Sequence, residues 1–139
     1  VAAKLARLLQ GGEVIELASD LGGGKTTFVQ GLAAALGYKG DVTSPTFTLS
    51  QIYTLESGLE LHHYDLYRLG QSGVVGEELA EDLEDPHNIT LIEWAGLVAD
   101  ELPVDRLRIE IEPTGDTERV LHISAGGPVS ERLLKGLQS

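Results

Sequence analysis

Apolar residues fall along this chain in short blocks with two different periods. From Ala3 to Leu9 they stand at Leu5, Leu8 and Leu9, which predicts a short helix stopped by Gly11-Gly12. Glu13 to Ala18 alternates and then turns apolar, the pattern of a buried strand. Thr26 to Leu36 returns to helical spacing, with Phe28, Val29, Leu32, Ala33 and Leu36 on the inner side and Gly37 at the C-terminus. Phe47 to Leu55 and Leu59 to Tyr67 are rich in β-branched and aromatic residues, with Glu56-Ser57-Gly58 between them, and predict an antiparallel hairpin. Strand parity puts His63, Asp65 and Tyr67 on one face and sends His62 to the other.

Beyond the flexible Gly70 to Gly76 link, Glu77 to Leu83 predicts a short acidic helix, closed by Pro86 and Asn88. Ile89 to Ile92 is the best candidate for a second buried parallel strand, with Glu93 at its end. Leu107 to Glu112 and Val120 to Ile123 predict a second hairpin around Thr114-Gly115-Asp116, and Val129 to Leu137 a C-terminal helix. No repeat or linker divides the sequence, so the expectation is one α/β domain over residues 1–139.

Between the first strand and the second helix lies Leu21-Gly22-Gly23-Gly24-Lys25-Thr26-Thr27. Strand, glycine loop and helix in that order form a phosphate-binding loop. Glycine lets backbone N–H groups approach phosphate oxygens closely, and the helix adds unpaired N–H groups and the positive end of its dipole. Lys25 is suited to reach the outer phosphates of a triphosphate, and the Thr26 hydroxyl to ligate Mg²⁺. Ser19 stands where the full pattern has glycine. Serine there either strains the backbone or marks a turn that needs no positive φ.

A nucleotide site also needs an acid beside the loop. Glu93, after Leu91-Ile92, fits that place and is suited to bind Mg²⁺ or to polarise a water. Asp65 is a second carboxylate able to orient metal-bound water, with His63 before it and Arg68 soon after, the latter pairing with Asp65 or touching phosphate. The alternative is a salt-bridged, half-exposed strand. His62-His63 is no metal site by itself, because the rings diverge. Thr43-Ser44-Pro45-Thr46-Phe47 is a hydroxyl-rich loop in the topological place of a γ-phosphate sensor. Trp94 either stacks on a base or an aromatic partner, or packs.

Charge restricts the partners. The 139 residues include 22 acids against 10 bases, a net charge of -12, which repels phosphate backbones and argues against autonomous nucleic-acid binding. The acids either serve solubility or face a more basic protein. The absence of cysteine excludes disulfides and thiolate chemistry, and no stretch approaches the roughly 20 apolar residues of a membrane span, so a cytoplasmic protein without a membrane partner is expected.

Taken in order, Asp20 to Phe28, Thr43-Ser44-Pro45-Thr46-Phe47-Thr48-Leu49, His63-Tyr64-Asp65-Leu66-Tyr67-Arg68-Leu69 and Leu91-Ile92-Glu93-Trp94 resemble the TsaE family. That family is the ATPase subunit of the bacterial machinery that makes threonylcarbamoyladenosine in tRNA. The resemblance covers most of the chain, and its two middle motifs are more specific than the glycine loop. It implies a P-loop NTPase domain with a central mixed sheet flanked by helices, and antiparallel hairpins beside the nucleotide strands. It implies an ATPase that is weak alone and stimulated in a complex with two partners, the transferase subunit and its non-catalytic paralogue, meeting tRNA only through that complex. Carried over by motif, Gly22, Gly23, Gly24, Lys25, Thr26 and Thr27 hold ATP phosphates, and Thr26 and Glu93 hold Mg²⁺. Thr43 belongs to the switch, and Asp65 to the hydrolytic or coupling apparatus. Ser19 departs from the family pattern, and Gly73 to Asn88 looks shorter than usual.

Two other readings share the glycine loop. A small-molecule kinase needs a basic lid, and no Arg- or Lys-rich segment separates Gly70 from Leu91. A nucleotide-gated interaction module with little hydrolysis fits the acidic surface and small size.

Overall fold

The computed structural model describes residues 2–19, 25–38, 50–55, 57–65, 81, 83–93, 102–113 and 119–138. Helix α1 (Ala2–Leu8) leads into strand β1 (Val14–Ser19), then helix α2 (Lys25–Ala35). Strands β2 (Ser50–Thr54), β3 (Glu60–Asp65), β4 (Asn88–Glu93), β5 (Leu107–Pro113) and β6 (Arg119–Ala125) follow, and helix α3 (Pro128–Gln138) ends the chain. Among the described residues the strands form one sheet in the order β2-β3-β4-β1-β5-β6. The pairs β3–β4, β4–β1 and β1–β5 are parallel, and β2–β3 and β5–β6 are antiparallel. This is the mixed sheet with two hairpins that the sequence implied, and β4 is the second parallel strand. The tip of the acidic segment is helical at Glu81, Leu83 and Glu84.

Register sorts the side chains. Ile15, Leu17, Leu61, Ile89, Leu91, Leu107, Ile109 and Ile111 lie on one face of the sheet and share a single apolar core with Leu5 of α1, Val29 and Leu32 of α2 and Leu133 of α3. Fully burying such side chains stabilises the fold by roughly 1.5–3 kcal/mol each. The inner face of α2 is the one its spacing predicts. The helix then stops in a Schellman turn: Gly37 N–H donates to Ala34 O at 3.1 Å and Tyr38 N–H to Ala33 O at 3.0 Å, with Gly37 at φ +96°. Tyr38 packs edge-on against Tyr53 of β2, ring centroids 4.8 Å apart, and so ties the end of α2 to the edge strand.

The other face of the central strands is also buried, through His62, Tyr64, Thr90 and Ile92. Glu16 lies on that face, 9% exposed, and is held by Arg106 Nε at 2.8 Å and Arg108 Nε at 3.2 Å. At the opposite end of β1, Gly11 has φ +108°, and a Cβ there would meet Pro86 O at 2.3 Å, so this turn requires glycine. Glu13 seals the turn. Its carboxylate accepts from Gln10 N at 2.8 Å and Gly11 N at 2.7 Å and is bridged by Arg132 of α3 at 3.1 Å.

Candidate functional site

The parallel strands β3, β4 and β1 run the same way, so their C-terminal ends open on one edge of the sheet. In parallel α/β sheets that edge is where ligands bind. Register defines two successive rows there. His63, Leu91, Ile15 and Leu107 share the inner row; Asp65, Glu93, Leu17 and Ile109 share the row beyond it. The seven with described side chains lie on the core face. At the β3–β4 side the outer row is occupied by two acids that are register partners, Asp65 and Glu93.

β1 ends at Ser19, which pairs in register with Ile111. As a strand residue Ser19 has the extended backbone that any L-residue adopts, so the missing glycine leaves β1 unstrained there. Helix α2 starts at Lys25, on the same face as the acids, since Val29 and Leu32 enter the same core as Leu17 and Leu91. Its first turn carries N–H groups without intrahelical partners and the positive end of the dipole. The backbone puts Lys25 and Thr26 at the first two helical positions, and Thr27 is exposed. Gly22, Gly23, Gly24, Thr43, Arg68 and Trp94 lie outside the described residues.

Glu93 is 3% exposed and His63 1%. Their side chains meet, with His63 Nε2 to Glu93 Oε2 at 2.6 Å. A carboxylate withdrawn from water needs donors, and an imidazole carrying its proton on Nε2 supplies one at charge-assisted length. His63 Nδ1 is buried and has no hydrogen-bond partner among the described residues. His62, on the other face, bonds Glu60 at 3.0 Å, so the two rings diverge as parity expects. Among the described residues no group of three or more His, Cys, Asp or Glu gathers around a common metal position.

Parity alone puts His63 beside Asp65. The bond from His63 to Glu93 was not readable in the sequence, because it needs β3 and β4 to be neighbours in parallel register, and 30 residues separate the two side chains. The ion pairs of Glu16 and Glu13 are silent in the sequence for the same reason: their arginine partners come from segments far along the chain.

A sequence model of the family described as "Threonylcarbamoyl adenosine biosynthesis protein TsaE" matches residues 1–121. The chain is 39% identical over 127 residues to the "tRNA threonylcarbamoyladenosine biosynthesis protein TsaE" of Streptomyces coelicolor, covering 89% of this chain and 86% of that one. It is 39% identical over 142 residues to the protein of the same name from Bacillus subtilis, covering 99% and 85%. Among solved structures, the crystal structure of Bacillus subtilis YdiB superposes with a TM-score of 0.73 at 35% identity, covering 99% of this chain and 84% of that chain. With the family model spanning most of the sequence and both relatives aligned over nearly their whole lengths, the chain belongs to the TsaE family.

Proposed function

We propose that residues 1–139 act as one ATPase domain, which hydrolyses ATP with Mg²⁺ and serves two partner proteins in threonylcarbamoylation of the adenosine beside the tRNA anticodon. The observation that carries the reading is Glu93: a buried carboxylate at the C-terminal end of a parallel strand, beside β1 and on the face from which α2 rises. A strand-end acid facing solvent would serve solubility; this one is withdrawn from water and held by His63.

The donor chemistry fits a hard divalent cation, because a buried carboxylate and a threonine hydroxyl are oxygen ligands. Glu93 and Thr26 would hold Mg²⁺, which when bound neutralises charge developing on the β- and γ-phosphate oxygens. The Gly22 to Gly24 backbone N–H groups cradle the phosphates, and Lys25 and the N-terminus of α2 supply fixed positive charge. Asp65, next to Glu93 in the register, accepts a hydrogen bond from the attacking water and aims it. Thr43 senses the γ-phosphate, while Arg68 and Trp94 flank the site. Hydrolysis is slow until docking of the transferase subunit and its paralogue excludes water and completes the positioning. The protein works in the cytoplasm.

Reconstitution tests this. The two partners, tRNA, threonine, bicarbonate, ATP and the adenylate-forming enzyme are combined with and without this chain, and modified tRNA is counted per complex. Multiple turnover is expected only when the chain is present. Unchanged turnover without it would overturn the reading, and a phosphorylated small-molecule product would replace it with a kinase.

A further inference from the structure

Across the parallel strands β3, β4, β1 and β5 the inner row at this edge is apolar at Leu91, Ile15 and Leu107 and polar at His63, and it continues onto the edge strand β2 at Gln51. A leucine in place of His63 would continue the core. The imidazole instead brings two nitrogens into a place that is 1% exposed, and Nδ1 has no partner among the described residues. Withdrawing a polar ring from water into an apolar row costs free energy. What the histidine gains in exchange lies one row outward. Successive same-face residues along a strand are about 6.6 Å apart, and the imidazole spans that step to reach Glu93 Oε2 at 2.6 Å. Asp65 occupies the same outer row, two residues after His63 on the same strand.

We propose that His63 is a positioning residue that fixes the Glu93 carboxylate, through the Nε2 hydrogen bond, in the orientation that receives Mg²⁺. The inference rests on the ATPase reading above and adds to it the residue that sets metal affinity without touching metal or nucleotide. A carboxylate on a single χ3 torsion rotates readily. A short bond from a ring that packing holds still removes that freedom. Outer-shell partners of this kind hold a ligand's orientation.

Three substitutions separate positioning from packing. His63→Gln carries an amide N–H where Nε2 stands; His63→Asn carries one where Nδ1 stands; His63→Leu fills the row and donates nothing. ATP is titrated calorimetrically into each full chain across a Mg²⁺ series and in EDTA, and Mg²⁺ is titrated into the reconstituted complex during turnover. His63→Asn and His63→Leu are expected to raise the half-saturating Mg²⁺ concentration about 10- to 100-fold, with ATP affinity in EDTA within about threefold of wild type and His63→Gln close to wild type throughout. A structural role would instead lower melting temperature and ATP affinity together, whatever the metal.

The proposal is overturned if His63→Asn keeps the wild-type Mg²⁺ dependence, or if His63→Gln is as impaired as His63→Asn. Should His63→Leu fail to fold, the Asn and Gln pair decides alone. A wild-type chain that binds ATP identically in Mg²⁺ and EDTA overturns both the metal site and this role. A Mg²⁺-dependent wild type whose His63→Asn variant shows the same Mg²⁺ dependence overturns only the role of His63.

Discussion

Asp65 and Glu93 are direct register partners across the parallel β3–β4 pair, one at the last residue of each strand. Equivalent positions on neighbouring strands place their Cα atoms side by side at the edge where nucleotide strands present ligands. Their roles are separable. Glu93→Gln keeps shape and hydrogen bonding while removing charge, so folding is expected to survive while Mg²⁺-dependent turnover falls about 100-fold. Asp65→Ala is expected to damage partner-stimulated turnover more than ATP affinity, since its assigned task is to aim water. Steady-state rates with partners, beside calorimetric ATP affinities, check both. A Glu93→Gln protein with nearly normal turnover would make Glu93 structural and transfer the metal role to Asp65.

Lys25→Ala is expected to abolish most triphosphate binding. Lys25 opens α2, where the helix dipole already favours anions, but a dipole is worth far less than a full charge beside a partly desolvated phosphate. Titration with Mg-ATP measures it, and an affinity within about threefold of wild type would exclude a phosphate loop at this position.

Much of this architecture was legible from periodicity. The alternation in Leu107 to Glu112 and Val120 to Ile123 places β5 and β6 within a residue or two, and the short Glu56-Ser57-Gly58 connection predicts the β2–β3 pairing. Gly37 marks the end of α2 because the Schellman turn needs a residue at positive φ. These are local effects, written in neighbouring residues. The long-range ones were not legible. Glu13 looks like the first residue of a strand, yet its carboxylate caps the Gln10–Gly11 turn and binds Arg132, 119 residues away. Glu16 is an inward-facing acid that finds Arg106 and Arg108 only because β5 adds beside β1 rather than beside β4. The site divides the same way: Glu93 and Asp65 are readable as acids at strand ends, and their adjacency follows from strand order alone.

Isolated chain is expected to bind tRNA weakly or not at all at physiological salt. Net charge is -12, so few cations are available to release counterions from the phosphate backbone. Arg106, Arg108 and Arg132, three of the 10 bases, are already committed to Glu16, Glu110 and Glu13. Fluorescence anisotropy with labelled tRNA measures the affinity; submicromolar binding by the single subunit would contradict the view that it meets tRNA only through its partners.

Asp105 gives a prediction independent of nucleotide. Helix α3 opens at Pro128, and its first free N–H groups are capped from a distant segment: Val129 N–H donates to Asp105 Oδ2 at 3.0 Å and Ser130 N–H to Oδ1 at 2.9 Å. The Ser130 hydroxyl adds a third bond to Oδ1 at 2.7 Å. Burial raises the Asp105 carboxyl, but these bonds from Ser130 and Val129 outweigh it and bring it below the ordinary value of 3.8. A depressed carboxyl contributes stability that is complete above its unfolded value and is lost as pH falls through the folded one. Asp105→Ala is therefore expected to cost about 1–2 kcal/mol at pH 7, the size of a lost N-cap. The gap between the two proteins should hold steady down to about pH 5 and close below about pH 4, as the wild-type carboxylate takes up its proton. Urea unfolding of both proteins at pH 7, 5 and 3 measures the gap directly, and comparing the pair at each pH cancels the titration of acids they share. A gap of undiminished size at pH 3 would mean that Asp105 holds α3 by packing rather than as a charged cap.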